Sequence, residues 1–126
     1  MPKNKNILAL CMLAMFALVG CEQVDKALGR DAPAVLEQVR EHRSMADYDS
    51  AIKLAKSFGE EPGPLQGEFS LELAKAYAAK NDVDNAVSSL RTAMRLGAIS
   101  STDAMVDESF SNINTELQFV SAIAEN

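Results

Sequence analysis

The stretch from Gly67 to Gly97 constrains this chain most, because it holds two amphipathic segments separated only by Lys80-Asn81-Asp82. In the first, Phe69, Leu73, Ala76 and Tyr77 fall at helical spacing. In the second, Val83, Ala86, Val87, Leu90, Ala93 and Met94 recur at i, i+3, i+4 and i+7. Asp82 stands where a helix N-cap is wanted, and Gly97 where a left-handed residue closes the second helix. Helices joined by so short a turn pack side by side and antiparallel. A chain built on such a unit is committed to helix-on-helix layers. Its composition agrees: aromatic residues are 6% with no Trp, while Ala, Leu, Glu, Lys and Met, which lose little on entering a helix, are frequent. The expected fold is therefore all-α.

This hairpin resembles the tetratricopeptide repeat family, with Leu73, Ala74 and Tyr77 on its first helix and Ala86, Leu90 and Ala93 on its second. The resemblance implies a repeat of about 34 residues in which small residues let two backbones approach and large ones fill the space between. Three positions depart from the family pattern: Ser70 stands where Trp is common, Asn81 where glycine is common, and Ala98 at the closing proline.

Upstream, Asp31-Ala32-Pro33 reads as a helix start, followed by a narrow stripe of Val35, Leu36 and Val39 down to about Arg43. A second helix opens at Asp47, and Tyr48, Ala51, Ile52, Ala55 and Phe58 form a stripe that Gly59 ends. Ala51 precedes its counterpart Ala86 by 35 residues, close to the family period, so a degenerate first repeat is expected. Gln38 and His42 stand where that pattern wants Leu and Tyr. Two prolines and two glycines in the segment from Glu60 to Gly67 forbid a continuous helix and predict a surface loop. After Gly97, Ser101 or Thr102 is placed to cap a short helix with Met105 and Val106. Asp107, Phe110, Ile113, Phe119 and Ile123 then follow at the intervals with which short tetratricopeptide proteins end, which implies a helical cap over the last repeat. Asn112, Asn114, Gln118 and Glu125 are expected to face water. The fold class is thus antiparallel helical hairpins, about two repeats, with a C-terminal helical cap over residues 31–126.

The first thirty residues read differently. Lys3 and Lys5 precede an apolar run from Ile7 to Val19, which meets Gly20 and Cys21. A basic start, an apolar stretch of about 7–15 residues and a small residue before the cut describe a secretory signal peptide. The run is shorter than the ~20 residues of an ordinary membrane span. Leu18-Val19-Gly20-Cys21 resembles the bacterial lipobox, which implies cleavage between Gly20 and Cys21, lipidation of Cys21 and a membrane anchor of several acyl chains. At about 0.8 kcal/mol per buried methylene, such an anchor is effectively permanent. The expected organisation is a signal peptide over 1–20, a lipidated tether over 21–30 and the helical domain after it. Glu22, in place of the Asp associated with inner-membrane retention, implies an outer-membrane lipoprotein facing the periplasm.

Removing residues 1–20 takes away Lys3 and Lys5 and leaves ten basic and eighteen acidic residues, a net charge of −8. That balance argues against nucleic acid as a partner. No His/Cys metal cluster, glycine-rich phosphate loop or serine elbow occurs, so neither enzyme chemistry nor a cofactor or metal is expected. His42, the one histidine, lies between charged neighbours and reads as a solvated residue. A binding face is better motivated. The repeat register puts Leu36, Arg40, Arg43, Leu71, Lys75 and Ala78 on one side, where three cations would hold a carboxylate or an acidic segment of another envelope protein. The competing account is that the same cations pair with glutamates of their own helices. The expected function is a lipid-anchored scaffold or assembly factor; the alternative is a small-ligand-binding or structural envelope lipoprotein.

Overall fold

The computed structural model describes residues 31–126, and among them every regular element is helical. Helices α1 (Ala32–Ser44) and α2 (Tyr48–Glu60) form the first hairpin, and α3 (Gln66–Ala79) and α4 (Val83–Arg95) the second. The cap comprises α5 (Ser101–Val106), a 3-10 turn (Glu108–Phe110) and α6 (Leu117–Ala124). The segments of the sequence analysis that fall on residues 1–30, namely the signal peptide, Gly20, Cys21 and the tether, lie outside the described residues.

The two hairpin turns are built from the same hydrogen bonds 35 residues apart. Ala46 N–H donates to Arg43 C=O and Asp47 N–H to His42 C=O; Asn81 donates to Ala78 and Asp82 to Tyr77 in the same way. Ala46 and Asn81 both take left-handed backbone, at φ 60° and 59°. The aspartate that follows each then caps the next helix, Asp47 accepting from Ser50 N–H and Asp82 from Asn85 N–H, each at 3.4 Å. The first hairpin therefore repeats the turn of the second, although Gln38 and His42 depart from the expected pattern. Asn81 serves in place of the glycine because a short polar side chain tolerates this conformation. Gly97, at φ 78°, ends α4 as expected, with Gly97 N–H bonding Met94 C=O and Ala98 N–H bonding Ala93 C=O.

Helix α3 lies in the middle of the packing. Gly67, Phe69, Ser70, Glu72, Leu73, Ala74, Ala76 and Ala78 are all buried, so α3 buries more than the single stripe its apolar spacing suggests. Phe69 and Leu73 join Val35, Leu36, Val39, Ala51 and Ala55 in one core cluster. Ala74 and Ala78 join Ala86, Leu90 and Met94 of α4 and the cap residues in another. Tyr77 touches both clusters.

Besides the loop, which ends at Leu65 rather than Gly67, two boundaries differ from the expectation. Gly59 does not end α2: the helix runs to Glu60 with Gly59 inside it. A Cβ at Gly59 would lie 2.6 Å from Leu73 Cδ1 and 3.2 Å from the Ser70 nitrogen, so glycine is there for close approach to α3. Ser70, the departure from the family's Trp, sits in the same crossing and donates its hydroxyl to Gly59 C=O at 3.0 Å. One residue earlier on each helix, Phe58 and Phe69 stack with centroids 4.7 Å apart. The second difference is the cap of α5, which is Ser100 rather than Ser101 or Thr102; its hydroxyl accepts from Asp103 N–H at 3.0 Å.

The closing segment covers the second hairpin. Phe110, Ile113 and Phe119 are almost fully buried, and the two phenylalanine rings meet at 5.7 Å. Burying each such side chain is worth about 1.5–3 kcal/mol. Asn112 keeps an exposed side chain but also grips the hairpin turn, donating to Ala78 C=O and to Asn81 Oδ1. Glu125 similarly pairs with Arg91 of α4.

Candidate functional site

The face predicted to carry three free cations is a closed charge seam. Successive turns of α1 present Arg40 and Arg43 to Glu72 of α3, whose side chain is only 5% exposed. Arg43 Nε donates to one carboxylate oxygen at 2.6 Å and Arg40 Nε to the other at 3.4 Å. Arg40 also bonds Glu37 at 2.7 Å. Burial alone would lower the Arg40 pKa, but hydrogen bonds and charge from Glu37 and Glu72 outweigh it and the pKa is raised. Lys75 pairs with Asp107 at 3.4 Å, across from α3 to the cap. The Asp107 carboxyl is raised by burial, yet bonds from Ser109 and the charge of Lys75 bring it below its ordinary value.

Of the six residues assigned to a partner face, Leu36 and Ala78 belong to the core, at 5% and 0% exposure, and cannot line a groove. Leu71 is half-buried against the second core cluster. Arg40, Arg43 and Lys75 are engaged by Glu72 and Asp107. The cations are not free for a partner because α1, α3 and the cap meet there, and carboxylates of neighbouring elements reach them first. The competing account holds in part: Arg40 uses Glu37 of its own helix, while the other pairings cross between elements.

His42 is not simply solvated; its Nδ1 lies 3.2 Å from Asp47 Oδ2, beside the first turn. No group of three or more potential metal ligands occurs among the described residues. No described helix is long and apolar enough to cross a membrane.

Surface clefts are present among the described residues. A polar one of about 230 Å³ lies where α2, α3 and α4 meet, with Gln66, Tyr77, Ser88, Ser89 and Arg95 in its lining. A larger one of about 670 Å³ lies on the cap between α5 and α6, where Met105, Phe119, Val120 and Ile123 form an apolar lining. Of its lining, Met105 is 56% exposed and Val120 49%; Leu117, about one turn before Val120 on α6, is 79% exposed. From the family resemblance the cap is expected only as a cover over the last repeat. The signal for a second apolar side was available: in Leu117–Ala124 six of eight residues are apolar, too many for one face of a helix.

No family model, curated protein or solved structure matches this chain.

Proposed function

We propose that this chain is a lipid-anchored, periplasm-facing protein-interaction module, a scaffold or assembly factor in an envelope complex. The observation that carries the interaction role is the outward apolar side of α6, where Leu117 and Val120 stand exposed and Val120 lines the cap cleft. Exposed apolar residues gathered at one site mark contact with another molecule. The address rests on Leu18-Val19-Gly20-Cys21 and on Glu22. Labelled palmitate should enter the wild-type chain and be lost with Cys21→Ser, which should also leave the membrane fraction. A photocrosslinking residue at Val120 should give one discrete adduct in intact cells, whereas the same residue at Lys56 on α2 should give none. Absence of any adduct from the cap would end the interaction reading. A second reading, a small-ligand-binding lipoprotein, draws on the polar cleft beside Ser88, Ser89 and Arg95. It predicts that Ser89→Leu changes the melting shift produced by envelope metabolite extracts while the Val120 adduct is unaffected.

A further inference from the structure

Helix α6 is apolar on both sides. Phe119 and Ala122 point into the core at 2% and 0% exposure, while Leu117 and Val120 point out. An end unit of a helical array ordinarily turns a polar face to water, because nothing follows to cover it. Here the outer side is apolar and adjoins a cleft whose far wall includes Met105 of α5. With eight residues, α6 is about 12 Å long, which matches two to three turns of a helix laid against it.

Charge identifies what would lie there. From Leu96 to Asn126 the sequence has no Lys, Arg or His, but it has Asp103, Asp107, Glu108, Glu116 and Glu125. Asp107 is paired with Lys75 and Glu125 with Arg91, while Asp103, Glu108 and Glu116 have no ion pair among the described residues. The segments that line the cleft thus carry acids beside their lining residues: Asp103 between Ser101 and Met105, Glu116 after Thr115 and Glu125 after Ala124. A second copy of this chain would bring the same acids against it and be repelled. An amphipathic helix with Lys or Arg beside its apolar face satisfies both features, with side chains at i, i+3, i+4 and i+7 entering the cleft.

Resting on the interaction-module reading, we infer that the α5–α6 cleft docks a cationic amphipathic helix of a partner protein. The test uses the full lipidated chain in phosphatidylcholine nanodiscs, with empty nanodiscs as reference and fluorescence anisotropy as readout. The probe is a labelled 14-residue peptide with leucines on one helical face and lysines on the other; a version with glutamates in place of lysines is the control. The lysine peptide should bind and the glutamate peptide should not. Leu117→Ser with Val120→Ser should weaken binding about tenfold or more. Asp103→Lys with Glu116→Lys should weaken it as well, and added salt should weaken the wild-type complex. These positions are exposed, and unchanged circular dichroism confirms that the variants keep their fold. Equal binding of both peptides, or wild-type affinity in both variants, overturns the inference. So does a dimer in sedimentation that the lysine peptide fails to displace, since a second copy would then own the cleft. If the Val120 crosslink forms in cells while the peptide result fails, the docked partner is not cationic but the interaction module stands. If the crosslink also fails, both readings fall.

Discussion

Glu72 holds its side chain almost entirely out of water between Arg40 and Arg43, and the two arginines are not equivalent. Arg43 makes the closer bond, 2.6 Å against 3.4 Å, and its side chain is 28% exposed against 44% for Arg40. Removing one partner of a buried carboxylate leaves that carboxylate short of a counter-charge, which costs more than the pair contributes. Arg43→Ala should therefore lower stability by about 1–3 kcal/mol. Arg40→Ala should cost less, because Arg43 still satisfies Glu72 and the Glu37 bridge is exposed. Urea denaturation of the two variants checks the order, and a larger loss for Arg40 would contradict the seam. Asp107 supplies a pH dependence. Its folded pKa lies below the ordinary value, so its contribution is fully present above the usual carboxylate range and is lost as pH falls through the folded value. Asp107→Asn should be less stable than wild type near neutrality, and the difference should shrink in melts below about pH 4.

Among the elements, α3 is the one whose packing decides the rest, and its crossing with α2 depends on Gly59 and Ser70. The small side chains let the backbones approach until Ser70 reaches Gly59 C=O at 3.0 Å. Gly59→Val should push Leu73 and the Ser70 backbone away and destabilise by about 1–3 kcal/mol, despite valine being a poor match for neither burial nor size in isolation. Chemical denaturation measures it directly. A neutral result would mean that α2 and α3 do not approach this closely. Helix α4 behaves more simply. Its buried residues Ala86, Val87, Leu90, Ala93 and Met94 form one stripe, and its outer side carries the charges.

For the whole molecule, the two core clusters depend on different neighbours. The first hairpin packs onto one side of α3, while the second relies on Phe110, Ile113 and Phe119 of the cap. A chain ending at Ala98 would uncover Ala78, Leu90 and Met94 at once. It should lose cooperative unfolding and bind an apolar dye such as ANS. Leu117→Ser with Val120→Ser should behave oppositely, with stability within about 0.5 kcal/mol of wild type, because those side chains already face water. The two results together separate the inner, structural side of the cap from its outer side.

The family resemblance implied the buried phenylalanines of the cap; helix existence, both hairpin turns, the capping aspartates and Gly97 were legible in the residues alone. These features depend on neighbours three to five positions away, so spacing and local residue type suffice to specify them. The tertiary structure decided the rest. Glu72 meets Arg43 and Arg40 across 29 and 32 residues of chain, and Gly59 meets Ser70 only because α2 crosses α3 there. A helical wheel shows which side a charge occupies, but not which opposite charge waits on the next helix. Cations that read as a free binding face are therefore spent inside the fold. The apolar side left without a neighbour lies on α6 instead, where only the packed arrangement distinguishes the half that is covered from the half that is not.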